Sequence, residues 1–528
     1  MQELTPFWNK LSEPADIPVT HWAGGISRLL LLAVSVRQDL TSDPNLVTIE
    51  GQKTALLWFF SSGWQELGLT REDVPNWQRQ FWLDQDDICN TRFARFLHEQ
   101  RLDLQQAFDL QTEQGADGYR HWLTVNAISE TILPLLQQPP VEPGPSVHSA
   151  DTAYPFGVNL VGYAFGELGL GEDLRMAAQA LEARGIPFTV INLPPGNNIP
   201  ENDRTIAHWV TDSARYSITL VCLTALEHLD LYLRRGAELF AGRYTIGSWP
   251  WELQRWPGNW HHCFQLVDEV WASSKHIYDA VKAAAPVPVE YMPMAVTLPA
   301  GLDSAAPAQR LQFNLPNGKY LFVFSFDGNS FIERKNPQAI VQAFQQAFPV
   351  DEQQVGLVVK CMRPDVNSPA WQKILHAAHN DPRITIIDET LTKLEVMELY
   401  RSCNCFVSLH RAEGFGRGIA EALLLGLEVI ATGHGGNRDF CEQAGAYLVN
   451  YTLQPLDPGD YVEAAGQVWA EPDIDDAAKA MRAAFDEWLT NNVFHGAEQS
   501  TLDSLFSASA VGERYSQRLY EIQQEFFD

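Results

Sequence analysis

The sequence has few cysteines, no leader-like N-terminus and no long apolar run. Its seven cysteines are scattered over 528 residues without the C-x-x-C pair typical of zinc or redox sites. This pattern favours a reducing cytoplasm. The opening residues MQELTPFWNK lack the basic and apolar segments of a signal peptide. The longest apolar stretch, residues 26–36, contains Arg28 and is too short to span a membrane. We therefore expect a cytoplasmic protein with at most peripheral membrane contact.

Positive charge is also scarce. The chain carries 37 Lys and Arg against 66 Asp and Glu, a formal net charge of −29 at pH 7. Nucleic acids and anionic membranes recruit clustered Lys and Arg, so this balance argues against non-specific binding to either. Glycine (35 residues) and proline (31 residues) occur at ordinary frequency, which excludes a collagen-like or low-complexity chain. The length predicts about three globular domains.

Residues 1–136 are predicted to form a mostly helical domain whose role stays open. Apolar side chains recur there at helical spacing, and alternating β-branched runs are scarce. Seven of the sixteen tryptophans lie in this part, where helical spacing favours core packing over a carbohydrate-stacking or partner surface. Asp84-Gln85-Asp86 matches a D-x-D metal-ligand pattern, but we interpret it as solvated surface. A proline-rich linker follows at residues 137–155.

Beyond the linker, short apolar runs rich in β-branched residues alternate with amphipathic segments. This alternation predicts β-α-β units on parallel sheets. One series covers residues 156–300, a second covers 316–492, and a helical segment covers 493–528. Ligands of such sheets bind beyond the carboxyl ends of the strands, so we expect a site in a cleft between two domains. The predicted strands are residues 158–165, 188–193, 218–223, 267–272, 320–326, 355–360, 384–387, 405–409 and 428–432.

Chemistry-bearing residues concentrate in CFVSLHRAEGFGRGIAEALLLGLEVIATGHGGNRDF, residues 405–440. A strand ends near His410, and a loop carrying E-G-F-G leads into a helix. The glycines let the backbone approach a ligand closely, and a helix start favours an anion such as a diphosphate. Glu413 and Glu421 lie eight residues apart. One carboxylate can therefore face the reacting end of a ligand while the other reaches hydroxyl groups further along it.

E-G-F-G-x-x-x-x-E, followed by A-L-L-L-G-L-E-V-I-A-T and a glycine-rich turn, closely resembles the donor-site signature of retaining glycosyltransferase family 4. The resemblance extends upstream through SFDGNSFIERKNPQAIVQAFQQAF (residues 325–348) and residues 247–281, back to NLVGYAFGELGLGEDLR (residues 159–175). It covers about residues 150–490 and leaves the helical N-terminal part outside. The family has the GT-B fold, which implies two Rossmann-like α/β domains facing a cleft, preceded here by the helical domain.

The resemblance implies roles for the two glutamates and for the loop between them. Glu413 takes the place beside the transferred sugar, and Glu421 the place that hydrogen-bonds the ribose of the nucleotide. The backbone between them would hold the diphosphate or the sugar; its residues are Gly414, Phe415, Gly416 and Arg417.

The resemblance also implies a cationic clamp. Lys335, with Arg334 beside it, resembles the cation that neutralises the leaving diphosphate. Many relatives have an arginine six residues before this lysine, where the present chain has Asn329. Arg334 or Lys360 is therefore the candidate for the second positive charge.

Further candidates lie near strand ends. His410 is either a ligand of the donor sugar or a structural residue, and Asp388 ends a strand where the nucleotide base could lie. The loop G-E-L-G-L-G has the wrong spacing for a dinucleotide fingerprint, but in the resembling family it lies near the diphosphate and the acceptor. This cleft loop contains Gly166, Glu167, Gly169 and Gly171. Trp249 and Glu252 are predicted on the acceptor side, where a tryptophan either stacks on a sugar or packs in the core.

These residues predict a retaining, metal-independent hexosyltransferase of polysaccharide or glycoconjugate biosynthesis. Mannose from GDP-mannose is favoured, because S-L-H-R-A-E-G-F-G with G-G-N-R-D-F resembles polysaccharide-assembly mannosyltransferases; UDP- and dTDP-sugars stay open. The expected acceptor is an oligosaccharide, free or lipid-linked, and no cofactor or nucleic-acid partner is expected. The alternatives are a catalytically silent GT-B carbohydrate-binding scaffold and a nucleotide-dependent epimerase or dehydrogenase. We also expect the two α/β domains to fold without residues 1–136.

Overall fold

The computed structural model divides the chain into two compact units. One unit comprises Met1–Tyr154 with Ala225–Tyr244, and the other comprises Pro155–Thr224 with Thr245–Asp528. The structure describes residues 11–15, 25–35, 48–67, 69, 74–126, 154–196, 199–302, 310–491 and 498–527. All but the last two residues of the predicted linker at 137–155 lie outside these ranges. Residues 225–244, predicted within the first α/β domain, group with the N-terminal residues instead.

The described N-terminal residues are mostly helical. Their helices are α1 (Arg28–Ser35), α2 (Ile49–Trp58), α3 (Trp64–Glu66), α4 (Asn76–Leu83), α5 (Arg92–Gln100), α6 (Leu102–Ala107) and α7 (Glu113–Asn126). A hairpin of β1 (Gln85–Asp86) and β2 (Asn90–Thr91) separates α4 from α5. Trp82 is fully buried, and its ring packs on Phe60, Phe93 and Phe96 at centroid distances of 5.3–6.0 Å. This tryptophan is a core residue, because apolar area of that size is stabilising only when it is removed from water.

The first α/β domain is built on a six-stranded parallel sheet. Its strands are β3 (Val158–Gly162), β4 (Phe188–Asn192), β5 (Ile218–Cys222), β6 (Tyr244–Ser248), β7 (Glu269–Ala272) and β8 (Val289–Tyr291), in the spatial order β4-β3-β5-β6-β7-β8. Its helices include α8 (Gly169–Glu182) and α10 (Lys275–Lys282). The helix between β5 and β6 is α9 (Ala225–Phe240), which groups with the N-terminal residues. Strands β3 and β5 are buried along their whole length. That pattern arises when helices cover both faces of a sheet.

The second α/β domain repeats this architecture. Its strands are β9 (Tyr320–Asp327), β10 (Val355–Met362), β11 (Ile384–Ile387), β12 (Cys405–Ser408), β13 (Glu428–Thr432) and β14 (Tyr447–Val449), in the order β11-β10-β9-β12-β13-β14, all parallel. Its helices are α11 (Ile332–Lys335), α12 (Pro337–Ala347), α13 (Pro369–Asn380), α14 (Lys393–Arg401), α15 (Arg417–Leu424), α16 (Arg438–Cys441) and α17 (Ile474–Asn491). An antiparallel pair, β15 (Tyr451–Pro455) and β16 (Val468–Pro472), lies outside the main sheet.

The chain crosses between these two domains twice. After α18 (Gln499–Phe506), the last helix α19 (Ala508–Phe526) packs on α8 of the first domain. Gly512 permits this close packing, because a Cβ there would lie 2.2 Å from the Ala180 carbonyl oxygen. At the crossing itself, the Val296 N–H donates to the Phe506 carbonyl at 3.0 Å. The outgoing and returning segments are therefore hydrogen-bonded to each other.

None of the helices in the described residues combines the length and the apolar character that a bilayer crossing requires. None of the His, Cys, Asp and Glu side chains in these residues form a group of three or more that could hold a metal ion. In the D-x-D match, Asp84 pairs with Arg92 at 3.0 Å and Asp86 with Arg95 at 2.5 Å.

The composition of the first unit generates a prediction about residues 1–150. Their removal takes away most of the unit that contains α9, so the backbone of α9 should lose protection while β9–β13 keep theirs. Hydrogen–deuterium exchange of the truncated chain against the full chain measures this. Unchanged exchange in residues 225–240 would show that α9 is stabilised without the N-terminal residues.

Candidate functional site

Glu413 lies in the loop that follows β12, at the carboxyl edge of the second sheet. Its Oε2 accepts a hydrogen bond from Lys335 Nζ at 2.6 Å, and Arg334 Nη1 lies 3.7 Å away. The Glu413 side chain is only 15% exposed. Burial alone would raise its pKa, but the charges of Lys335 and Arg334 outweigh burial and hold the pKa at about 2. Glu413 is therefore an ionised carboxylate with two cations beside it.

The two cations are positioned by the sequence E-R-K-N-P. The short helix α11 ends at Asn336, whose left-handed backbone (φ 51°) stops it and whose side chain caps α12. Pro337 follows at the first position of α12, where its missing N–H costs nothing. The Arg334 side chain is buried and donates to the Ala412 carbonyl at 2.9 Å. Burial lowers the pKa of Lys335, against the opposing effect of Glu413.

The E-G-F-G loop fits closely against its surroundings. Gly416 has φ 98°, a left-handed conformation that favours glycine, and caps α15. A Cβ on Gly414 would lie 2.8 Å from the Trp251 carbonyl oxygen of the first domain. The Ser274 hydroxyl donates to the Gly414 carbonyl at 2.5 Å. Phe415 is buried against Phe440. The loop backbone is consequently fixed by both α/β domains.

Glu421 lies on α15 and is 4% exposed. Its Oε1 forms an ion pair with Lys393 Nζ, at the first residue of α14. Thr392 and Glu395 form a capping box that fixes where α14 begins, which places Lys393 at the helix start. Lys393 was missed in the sequence, because nothing local indicates a partner 28 residues away.

His410 is held by hydrogen bonds at both ring nitrogens. Nε2 donates to the His434 carbonyl at 2.9 Å, and Nδ1 accepts from the Ser408 hydroxyl at 3.0 Å. The residue is fully buried, and burial lowers the pKa of its imidazole. His410 is thus a neutral residue whose two nitrogens already have protein partners.

Lys360 and Asp388 occupy neighbouring strands. Lys360 lies inside β10, two residues before its end, where sequence analysis ended the strand; it is 4% exposed, and burial lowers its pKa. Asp388 follows β11 and is exposed. Close to Lys360, Arg363 forms an ion pair with Asp327 just before Asn329. Arg363 is a cation that sequence analysis missed.

The glycine-rich loop after β3 is held by the protein's own groups. A Cβ on Gly171 would lie 2.3 Å from the Gly166 carbonyl oxygen, so the turn requires glycine. Arg175 Nη1 donates to the carbonyls of Ala164 and Gly166, both at 3.0 Å. The Glu167 N–H donates to the Pro200 carbonyl, and Gly169 begins α8 with open space beside its Cα.

The acceptor-side candidates differ from each other. Trp249 is 1% exposed and packs on Trp256 and Phe264, so the structure places it in the core and leaves no ring face for a sugar. Glu252 accepts a hydrogen bond from the Tyr461 hydroxyl at 2.8 Å. The Tyr461 ring in turn lies 5.7 Å from the guanidinium carbon of Arg334. Tyr461, from the loop between β15 and β16, therefore joins Glu252 to the cations around Glu413.

Part of the chain matches a protein family model, and solved structures of similar fold are known. Residues 322–471 match the family model described as Glycosyl transferases group 1. No curated protein sequence matches the chain. Among solved structures, a sucrose-phosphate synthase from Thermosynechococcus elongatus is similar at 15% identity and a TM-score of 0.50, over 70% of this chain and 99% of that one. A glycosyltransferase from Rickettsia africae is similar at 13% identity and a TM-score of 0.50, over 70% and 99%.

These two structures share the fold of this chain, and the two parallel sheets with their covering helices confirm the predicted GT-B architecture. The family match lies on the second α/β domain, from β9 to β16. It includes Lys335, Glu413 and Glu421. Together the family match and the fold support a glycosyltransferase of the group 1, GT-B type.

Proposed function

We propose that this chain is a retaining hexosyltransferase that moves mannose from GDP-mannose to an oligosaccharide acceptor without a metal ion. The observation that carries the proposal is the partly buried Lys335–Glu413 ion pair at the carboxyl edge of the second sheet. Ligands of open parallel sheets bind at that edge. The group 1 family match over the same residues supports a nucleotide-sugar donor, and the sequence resemblance supports mannose.

The two cations suit the charge that the reaction develops. Breaking a sugar–phosphate bond leaves negative charge on the nucleoside diphosphate, which fixed cations stabilise most in the transition state. Lys335 is the cation best placed, because its ammonium nitrogen lies 2.6 Å from Glu413 Oε2 at the edge of the sheet where the donor would bind. Arg334 stays charged, and its hydrogen bond to Ala412 keeps it beside the same carboxylate.

Glu413 suits the positive charge that develops on the transferred sugar. With its pKa at about 2, because its cations outweigh its burial, it is ionised at neutral pH and cannot act as a proton donor. An ionised carboxylate accepts hydrogen bonds from sugar hydroxyls and stabilises positive charge at the anomeric carbon. Glu413 would therefore face the sugar, while Lys335 turns to the diphosphate when the donor is bound.

The hydroxyl group of the acceptor sugar loses a proton during transfer, and some group must take that proton. His410 is poorly suited, because both of its ring nitrogens already have protein partners. We therefore favour a front-face reaction, in which the leaving phosphate takes the proton and the sugar keeps its anomeric configuration.

A donor survey tests this proposal. The full chain is incubated with GDP-mannose, UDP-glucose and dTDP-glucose, each with and without a chelator, and release of the nucleoside diphosphate is measured. GDP release from GDP-mannose, unaffected by the chelator, is expected. Turnover of only a UDP- or dTDP-sugar would show that this sugar nucleotide, and not GDP-mannose, is the donor. Binding without any turnover would favour the silent carbohydrate-binding scaffold.

Lys335→Ala should reduce turnover about a hundredfold or more, an effect of about 2.7 kcal/mol, because the cation acts mainly in the transition state. Lys373→Ala, which removes an exposed lysine on α13, is the matched control and should leave turnover unchanged. Steady-state rates with the accepted donor measure both. Near-normal turnover of Lys335→Ala would show that another cation neutralises the leaving diphosphate.

Glu421→Ala should weaken nucleoside-diphosphate binding by about 1.5–3 kcal/mol, since it removes charged hydrogen bonds to the ribose. Calorimetric titration with GDP measures the loss, and Glu525→Ala, which removes an exposed carboxylate near the end of α19, serves as control. Unaltered GDP affinity in a folded Glu421→Ala protein would remove α15 from the donor site.

Stability should depend on pH through Glu413. Because its cations depress the pKa from 4.5 to about 2 in the folded protein, its ionised form stabilises the fold above pH 4.5, and this stabilisation is lost as the pH falls towards 2. The Tm difference between the wild type and Glu413→Gln should therefore be largest near pH 7 and shrink below pH 4.5. A constant difference over this range contradicts the assigned ion pair.

A further inference from the structure

Two cations of the second α/β domain are paired with two carboxylates of the first. Lys393 Nζ, which forms the ion pair with Glu421, also lies 3.5 Å from Glu172 Oε1. Arg417 Nη2 forms an ion pair with Asp173. Glu172 lies in the first turn of α8, directly after the glycine-rich loop, and Asp173 is the next residue of the helix. These pairs join α8 to α14, which carries Lys393, and to α15, which carries Arg417.

The carboxylates are held firmly in place. Glu172 is 13% exposed and also pairs with Arg175 Nη2 at 2.9 Å. Arg175 is the residue whose guanidinium binds the carbonyls of the glycine-rich loop. Burial would raise the pKa of Glu172, but Lys393, Arg417 and Arg175 outweigh burial and hold it at about 2. At Asp173, burial outweighs the charge of Arg417 and raises the pKa of the carboxyl. The ion pairs hold both carboxylates in place directly after the loop.

This charge is unexpected for a glycine-rich loop near a diphosphate. A free helix start after such a loop favours an anion, but here the protein supplies two anions of its own. A diphosphate brought to the same place would be repelled by Glu172 and Asp173. The cations opposite are not saturated, however, because Arg417 Nη1 is buried and makes no hydrogen bond within the described residues. A buried donor without a partner costs free energy that an incoming anion can recover.

We propose that Glu172 and Asp173 form an electrostatic latch, which occupies Lys393 and Arg417 in the free protein and gives these two cations up to the diphosphate of the donor. The inference rests on the proposed function and names two donor contacts, the side chains of Lys393 and Arg417, beyond Lys335. Lys393 lies beside Glu421, so it would meet the ribose end of the diphosphate, and Arg417 the end towards Glu413.

The latch has two consequences for binding. Donor binding first breaks the ion pairs between the two α/β domains, so the apparent affinity is reduced by the fraction of molecules in which the latch is closed. A nucleoside without phosphates cannot replace the carboxylates at Lys393 and Arg417. The latch therefore lowers the affinity for nucleoside diphosphates and not the affinity for nucleosides, which leave the ion pairs in place.

Calorimetric titration of the full chain with UDP, GDP and dTDP tests the latch. Glu172→Gln/Asp173→Asn should bind the preferred diphosphate about tenfold more tightly than the wild type, and Lys393→Met about tenfold more weakly. Glu182→Gln, at the exposed end of the same helix, removes one charge away from both cations and should change nothing. The two single variants Glu172→Gln and Asp173→Asn replace the double variant if it does not fold.

The outcomes separate the latch from the proposed function. If the wild type binds a diphosphate and the carboxylate variants bind it equally or more weakly, Glu172 and Asp173 only tie the domains together and the latch is overturned. Unchanged affinity in Lys393→Met overturns it as well. If the wild type and every variant fail to bind all three diphosphates, the proposed function itself fails. Binding that appears only in the carboxylate variants supports both.

Discussion

The site depends on one constraint, the need of a buried carboxylate for nearby positive charge. Glu413 is largely withdrawn from water, and an ionised carboxylate in that position is tolerated only when it is paired. Lys335 and Arg334 meet this need from α11, and the left-handed Asn336 sets where α11 stops. Arg334 also binds the carbonyl of Ala412, next to the carboxylate it neutralises. The charge pair, the helix boundary and the loop backbone are therefore parts of one arrangement.

The close fit of the E-G-F-G loop extends this arrangement to the first domain. A Cβ on Gly414 would clash with the Trp251 carbonyl oxygen. A Cβ on Gly436 would lie even closer to the Gly414 carbonyl oxygen. The Ser274 hydroxyl binds the same carbonyl of Gly414 while it caps α10. Here glycine is required by close approach rather than by turn geometry alone. The loop that carries Glu413 is thus ordered by both halves of the cleft.

Much of the α/β architecture follows from local sequence, because buried parallel strands are continuous apolar runs. The strands predicted at 428–432 and 384–387 have the same first and last residues as β13 and β11. Strand β15 was missed, since its side chains are mostly exposed and polar.

The candidate site divides along similar lines. Glu413, Glu421 and Lys335 could be found because they belong to a linear motif. Lys393, Tyr461 and Asp173 could not, because their partners lie 28 to 244 residues away and meet them only in the folded chain. Asp173 does lie in the glycine-rich segment, but its charge is opposite to the one expected beside a phosphate. Trp249 is the reverse case. A tryptophan ring can stack on a sugar, but this side chain is packed in the core.

The double crossing between the α/β domains has a mechanical consequence. The two domains are joined by two segments that cross side by side, and the hydrogen bond from Val296 to Phe506 ties these segments to each other. The final helix α19 is fastened to the first domain by the ion pair of Arg518 with Glu269 and by the contact of Tyr515 with Trp271. Any change at the extreme C-terminus therefore acts on the half of the cleft that is most distant in sequence.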